Sequence, residues 1–448
     1  MQVVRAVVAR HHKGCEVEEE GDWGEALLVG DGGAATRAEL DRLTPLLYGL
    51  AGLPLGVAGV AAVGQQMRLS AVGQLPARPP GGKVVRGGGG AARLVPRAGM
   101  AAQAVAPLDV VLVPEQSGKW PRQPAALARV RTAWLCAVGR ALVKTEPSVR
   151  AEVQGERLVL LSRGQVVRCS AGPRGPECEL GSWLAGLAGQ FPAWSGAVRL
   201  AQRWLAAHLL SHLPAVAVEV TLAAILLAAP APPSRPTPAF LLWLHTLASH
   251  DWNSEPLVCP GSETTLARTS LPPLAVLCPH SPSPSHWTRV VTWPELQRMV
   301  SLATQALSSP SLACFAPSYA SYEALIHLRP LQVATRHLAL AAVLDTGREG
   351  ATPVKNAVNE IPILDHDPVR LLVARLQTAY THLANFYYDK FGGTVIAVKV
   401  TGKGTGGGRM VSEEGKLVTN WGVVVEDWEV LGEGLVKEVE LINSDLLL

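Results

Sequence analysis

Asp109 lies inside PLDVVLV, Pro107 to Val113, a short β-branched run with a proline before it that reads as a buried strand. A carboxylate on such a strand is one part of what nucleotidyl transfer needs. The rest is a second acid two residues on and a Gly-Ser turn before the strand, because two metal ions must be held by clustered carboxylates beside a triphosphate. Here the residue two on is Val111, and the only Gly-Ser pairs, Gly181–Ser182 and Gly261–Ser262, precede no paired-acid strand. A lone Asp109 cannot clamp two metals, so the arrangement that nucleotidyl transfer needs does not occur here, and no catalytic residue is predicted.

Other chemistry-bearing clusters read as structural. Asp365, His366 and Asp367 have the spacing of a paired acid but stand before Pro368, where Asp367 with Pro368 reads as an N-cap and first-turn pair. His208 and His212 stand one helical turn apart, yet Leu209 occupies the position where a zinc-protease helix carries glutamate, and partly buried, hydrogen-bonded histidines are expected. Ser117, Gly118, Lys119 and Trp120 are similar to the end of a phosphate loop, but Trp120 replaces the metal-binding hydroxyl. The glycines of TGKGTGGGR, residues 401–409, follow a strand without leading into a helix and read as a hairpin. The seven cysteines are scattered, with no C-x-x-C pair, so neither a disulfide framework nor a zinc ribbon is expected. No metal and no cofactor is predicted.

The elements that must position these residues are legible from pattern. With 448 residues, 48% hydrophobic and 17% charged, the chain is long enough for several cores and too apolar for disorder. Arg122 to Val143 reads as a helix, and Ala239 to Trp252 as a helix apolar nearly all round. A third helix is expected over Val198 to Leu213, with Ala201, Trp204 and Leu205 on an apolar face and Arg199, Gln202 and Arg203 on an exposed one. Leu213 to Ala229 resembles a membrane span in length, but Glu219 near its middle favours a buried soluble helix. From Asp367 an apolar stripe through Leu372, Leu376, Ala379, Leu383 and Phe386 predicts one long amphipathic helix ended by Gly392 and Gly393. A strand is expected over Thr394 to Val400, then further strands and a closing helix. The N-terminus has too short an apolar run for a secretory signal.

The net charge of +3 makes no case for nucleic acid, so any such case rests on where basic residues cluster. The Gly/Pro/Arg-rich stretch 67–103 carries Arg68, Arg78, Lys83, Arg86, Arg93 and Arg97 with no acid. It reads as a solvated loop or as an RNA-contacting arm of the Arg/Gly type. Candidate RNA-binding residues are Arg78, Lys83, Arg86, Arg93 and Arg97, together with the helix pair Arg199 and Arg203.

Several segments, in order, carry a resemblance. They are LDRLTPLLYGLAGLPLGVAGV from Leu40, LDVVLVPEQSGKWP from Leu108, FPAWSGAVRLAQRWLAAHLL from Phe191 and AFLLWLHTLASHDWNSEPLV from Ala239. The last are DPVRLLVARLQTAYTHLANFYYDKFGGTVIAVKV from Asp367 and VVVEDWEVLGEGLVKEVE from Val423. This ordered set resembles the C-terminal part of the Nrap family of small-subunit ribosome assembly factors. The resemblance implies an α+β chain of three parts. These are a degenerate nucleotidyltransferase-like domain over 1–188 including the loop 67–103, a poly(A) polymerase/oligoadenylate synthetase-like helical domain over 189–320, and a C-terminal α/β domain over 321–448. It implies a non-catalytic scaffold in the nucleolus of the nucleus, with pre-ribosomal RNA and small-subunit processome proteins as partners. No membrane and no small-molecule substrate is expected. The rival readings are an active nucleotidyltransferase and a protein-binding module without RNA contact.

Overall fold

A computed structural model describes residues 27–28, 31–72, 85–86, 92–93, 107–116, 120–163, 165–210, 213–262, 271–281, 283, 285–329, 368–391, 393–401, 410–413 and 416–442. Its first sheet has the order β1-β4-β7-β6-β5, built from β1 (Val57–Ala62), β4 (Leu108–Pro114), β5 (Arg150–Gln154), β6 (Arg157–Ser162) and β7 (Gln165–Ala171). A separate two-stranded ladder joins β2 (Val85–Arg86) to β3 (Ala92–Arg93). In the first sheet only the β4–β7 pair is parallel. Strand side chains alternate between faces. One face carries Leu108, Val110 and Leu112 into a core with Leu40, Leu43 and Leu47 of α1 (Ala34–Tyr48) and Trp134, Leu135 and Leu142 of α2 (Pro124–Thr145). Asp109, Val111 and Val113 therefore point to the other face.

The chain enters α1 through Gly32 and Gly33, both at positive φ. A Cβ on Gly32 would stand 2.4 Å from the Leu69 carbonyl oxygen, and one on Gly33 2.5 Å from Gln66, so this close approach requires glycine.

The helical part holds α3 (Pro176–Gln190), α4 (Trp194–Ala207), α5 (Ala215–Ala228), α6 (Pro236–Ser249), the two-residue strands β8 (Leu257–Val258) and β9 (Val276–Leu277), and α7 (Trp293–Ser308). A capping box starts α7: the Glu295 carboxylate accepts from the Thr292 backbone N–H at 2.8 Å. Helix α5 is buried at every position from Ala217 to Leu226, which explains a sequence apolar on all sides. Among the described residues no helix is long and apolar enough to cross a membrane. Trp204 and Trp243 meet edge to face at 5.9 Å between ring centroids, both almost wholly buried. Helix α4 ends at Ala207, short of the expected Leu213, and Leu209 takes a left-handed backbone conformation (φ 62°) that no helix continues through.

The described residues divide into two compact units. The first comprises the sheet of β1 and β4 to β7 with the helices up to α7, apart from the last turn of α4. The second contains β10 (Ala324–Leu328), α8 (Pro368–Tyr380), β11 (Ala384–Tyr388), β12 (Val395–Val400), the hairpin β13 (Met410–Glu413) with β14 (Lys416–Thr419), α9 (Trp421–Leu431) and β15 (Val436–Leu441). Its sheet runs β11-β12-β10-β15, antiparallel throughout. Trp428 is fully buried there among Tyr380, Phe386 and Trp421.

Two expectations are corrected in this unit. The long helix through Phe386 stops at Tyr380, and Ala384–Tyr388 is a strand whose Ala384 and Phe386 enter the same core as Leu372 and Leu376. Helical and strand spacing coincide over so short a stretch, and the aromatic run favours the strand. The Gln377 side chain then receives the Phe386 N–H at 3.2 Å, tying the two elements together. The tail closes on a strand, β15, after its helix.

Candidate functional site

Register places Arg168 of β7 directly opposite Asp109 of β4. Their side chains form a two-pronged ion pair, Nε to Oδ1 at 2.6 Å and Nη2 to Oδ2 at 2.8 Å. Arg157 of β6 brings a second guanidinium, its Nη1 3.8 Å from Oδ1. Side-chain exposure is 46% for Asp109, 16% for Arg168 and 53% for Arg157, so the pair is partly sheltered beneath an open cation. The turn leaving β1 is tied to the backbone of Asp109, with the Val63 N–H donating to its main-chain carbonyl at 2.9 Å. That turn reads Gly64–Gln65 and has no hydroxyl.

These residues do not fit a pair of divalent cations. Both oxygens of the one available carboxylate are held by a guanidinium, its neighbours Val111 and Ser170 supply no acid, and among the described residues no cluster of three His, Cys, Asp or Glu side chains could hold a metal. What the arrangement can do is bind an anion. A guanidinium presents the same fork to a carboxylate and to a phosphate; Arg157 and Arg168 stand at Asp109, and Arg174 lies further along the same face, beside Gly59 opposite Val113. Arg168 belongs to none of the motifs in the sequence, and its one local sign is an arginine inside the β-branched strand VVRCSA.

The helix pair is placed differently from expectation. Arg199 and Arg203 are each only 6% exposed, so the expected solvent-facing basic face of α4 is corrected. Helix α4 is central, and its polar side meets the polar turn 64–71 of the sheet part. Gln202 Nε2 donates to the Ser70 carbonyl at 3.4 Å, and the Ser195 hydroxyl donates to the Leu69 carbonyl. Burial pushes the Arg199 guanidinium below its ordinary range, opposed by the charge of Asp31. Asp31 itself is held below the usual carboxylate range. Burial acts against this, but the N–H groups of Ala35 (2.7 Å) and Gly33 (2.9 Å) outweigh it.

Arg68, counted by sequence among the loop charges, is also buried. It pairs with Glu219 at 2.8 Å and donates to the Val63 carbonyl at 2.7 Å. Arg86 and Arg93 lie on β2 and β3, where only the backbone is described. Arg78, Lys83, Arg97, Ser117 to Lys119, His212, Asp365 to Asp367 and the glycines of 402–409 lie outside the described residues. His208 is 7% exposed and follows the end of α4.

A mixed sheet with a carboxylate on its second strand, followed by a helical part locked onto the turn beside it, is the plan of a nucleotidyltransferase-like domain joined to a polymerase-type helical domain. Comparison with known families agrees in chain order. Residues 32–163 match "Nrap protein nucleotidyltransferase domain 4", residues 191–313 match "Nrap protein PAP/OAS1-like domain 5", and residues 319–439 match "Nrap protein domain 6". The chain belongs to the Nrap family, as the ordered segments led us to expect, and its fold is α+β.

Among curated relatives, Nucleolar protein 6 of Mus musculus is 30% identical over 483 residues, covering 89% of this chain and 41% of that protein. Nucleolar protein 6 of Homo sapiens is 30% identical over 502 residues, covering 95% of this chain and 43% of that protein. The chain thus spans about two fifths of the length of these relatives. Among solved structures, the Cid1 poly(U) polymerase superposes with a TM-score of 0.40 at 11% identity, covering 66% of this chain and 96% of that one. mtPAP in its apo form superposes with a TM-score of 0.41 at 10% identity, covering 69% and 81%.

Proposed function

We propose that this chain is a non-catalytic, RNA-associated scaffold of small-subunit ribosome assembly, working in the nucleolus on pre-ribosomal RNA alongside processome proteins. One observation carries the non-catalytic part: the Asp109 carboxylate is spent on the fork of Arg168. Among the described residues no second acid joins Asp109, so the electrostatic stabilisation that a two-metal site gives a transferring phosphoryl group has no source among them. Family membership and the nucleolar name of its relatives support the cellular setting. Within this reading Arg78, Lys83, Arg86, Arg93 and Arg97 are RNA contacts of the acid-free stretch, and the three parts 1–188, 189–320 and 321–448 are its working divisions.

Incubating the purified chain with an RNA primer, labelled nucleoside triphosphates and Mg²⁺ or Mn²⁺ tests the proposal. No extension is expected. Extension that is lost in Asp109→Ala would establish an active nucleotidyltransferase instead. RNA binding whose affinity falls steeply with salt is expected alongside, and its absence would favour a protein-binding module.

A further inference from the structure

The face of the first sheet turned away from α1 and α2 carries more positive charge than its own acids neutralise. Asp109, Arg157 and Arg168 meet there within 3.8 Å. Along the same face β1 presents Gly59, paired with Val113, and the exposed Arg174 guanidinium lies 3.5 Å from where a Cβ on that glycine would stand. Bare backbone on β1 thus adjoins an arginine at one end of the face, while Arg157 stands over the ion pair further along it. Three guanidinium groups share the face with the carboxylates of Asp109 and of Glu115, which accepts from the Gly56 N–H at 3.0 Å, leaving a local excess of +1 (three minus two). On the edge strand β5, the exposed Arg150 and Glu152 cancel.

We propose that this face is a phosphodiester-binding site, in which Arg157 and Arg174 take the backbone oxygens of an RNA strand on either side of the Asp109–Arg168 pair. The inference rests on the RNA-associated reading and gives it a location distinct from the acid-free stretch 67–103. Its occupant follows from charge and from geometry. The excess is carried entirely by arginines, whose planar forks match phosphate oxygens as they match a carboxylate. Asp109 occupies the fork of Arg168 as a phosphate would, so it acts as an internal competitor. Contacts of this kind position a backbone without reading bases, as expected of binding without sequence preference.

The full chain is tested with fluorescently labelled oligouridine, measuring affinity across a salt series for the wild type, Arg157→Gln with Arg174→Gln, and Asp109→Asn. Both arginines are exposed, so the double variant is expected to keep the wild-type melting temperature. Its slope of log affinity on log salt should flatten by about 0.7 per lost contact, about 1.4 in all. Asp109→Asn, which withdraws the competing charge, should bind more tightly and with a steeper slope; a variant that damaged only the fold would bind less.

If the wild type binds and the double variant binds identically, the site is wrong while the RNA reading stands. If the wild type does not bind at any salt, both fall. Polyglutamate displacing the RNA at equal charge, with the same dependence on Arg157 and Arg174, would assign the face to an acidic protein and overturn the proposal.

Discussion

The Arg68 guanidinium and the Glu219 carboxylate meet at 2.8 Å with side-chain exposures of 4% and 0%, joining the turn beside the sheet to the middle of the apolar helix α5. The Ser70 hydroxyl donates to the same carboxylate oxygen. Removing either charge strands the other away from water, which typically costs about 3–5 kcal/mol, whereas replacing both with apolar side chains of similar size is often neutral. Arg68→Met and Glu219→Leu are each expected to lower stability by that amount, and the pair together to recover most of it. Urea unfolding followed by tryptophan fluorescence measures this. Single variants as stable as the wild type would show that the contact is not formed.

Trp204 and Trp243 fill the centre of the helical part, and each side chain is at most 1% exposed. Truncation to alanine leaves a cavity as well as losing transfer energy, so each change is expected to cost about 3–5 kcal/mol. Because the rings touch, the double variant should cost less than the sum of the singles. Thermal melting of the three variants checks both statements.

Acid stability has a named contributor in Glu39. Burial pushes its carboxyl up, but the Arg42 side chain, donating at 2.7 Å and 3.1 Å, and Ser162 hold it below the usual glutamate range. A folded-state pKa below the unfolded one adds stability that is fully present above the unfolded value of about 4.3 and is lost as pH falls through the lower folded value. Glu39→Gln should therefore flatten the fall of stability with acid in that window while leaving the shape of the profile near neutral pH unchanged. An identical acid limb in the variant would remove Glu39 from the account.

Neutralising Arg78, Lys83, Arg86, Arg93 and Arg97 together to glutamine is expected to leave the melting temperature nearly unchanged and to flatten the salt slope of RNA binding by about 0.7 to 0.9 per lost contact. If affinity and slope are unaffected, the acid-free stretch 67–103 does not touch RNA through these side chains.

How far sequence reached into this structure follows from what each residue depends on. Strand β4 and helices α2 and α6 were legible because their signals are local: β-branched residues after a proline, or an apolar pattern at helical spacing. The nature of Asp109 as a lone acid was legible for the same reason. Its partner Arg168 was not, since the contact joins residues 59 apart in sequence and depends on which strands become neighbours. On α4, amphipathic spacing marked Arg199 and Arg203 as a polar side but could not say that a polar turn, and not water, lies against it. Glu219 was read as a buried carboxylate in a soluble helix, and its partner Arg68 was hidden among loop charges with which it shares only composition.

Helix α4 has almost no side turned to solvent, since Arg199, Gln202 and Arg203 are as covered as Val198 and Leu205. The sheet and the helices therefore cannot melt independently, although family comparison divides them at residues 163 and 191. In calorimetry the first unit should give a single cooperative transition. A chain severed between those two segments would leave the arginine side of α4 facing water across a seam shaped for the turn 64–71, and neither half would inherit the stability of the whole.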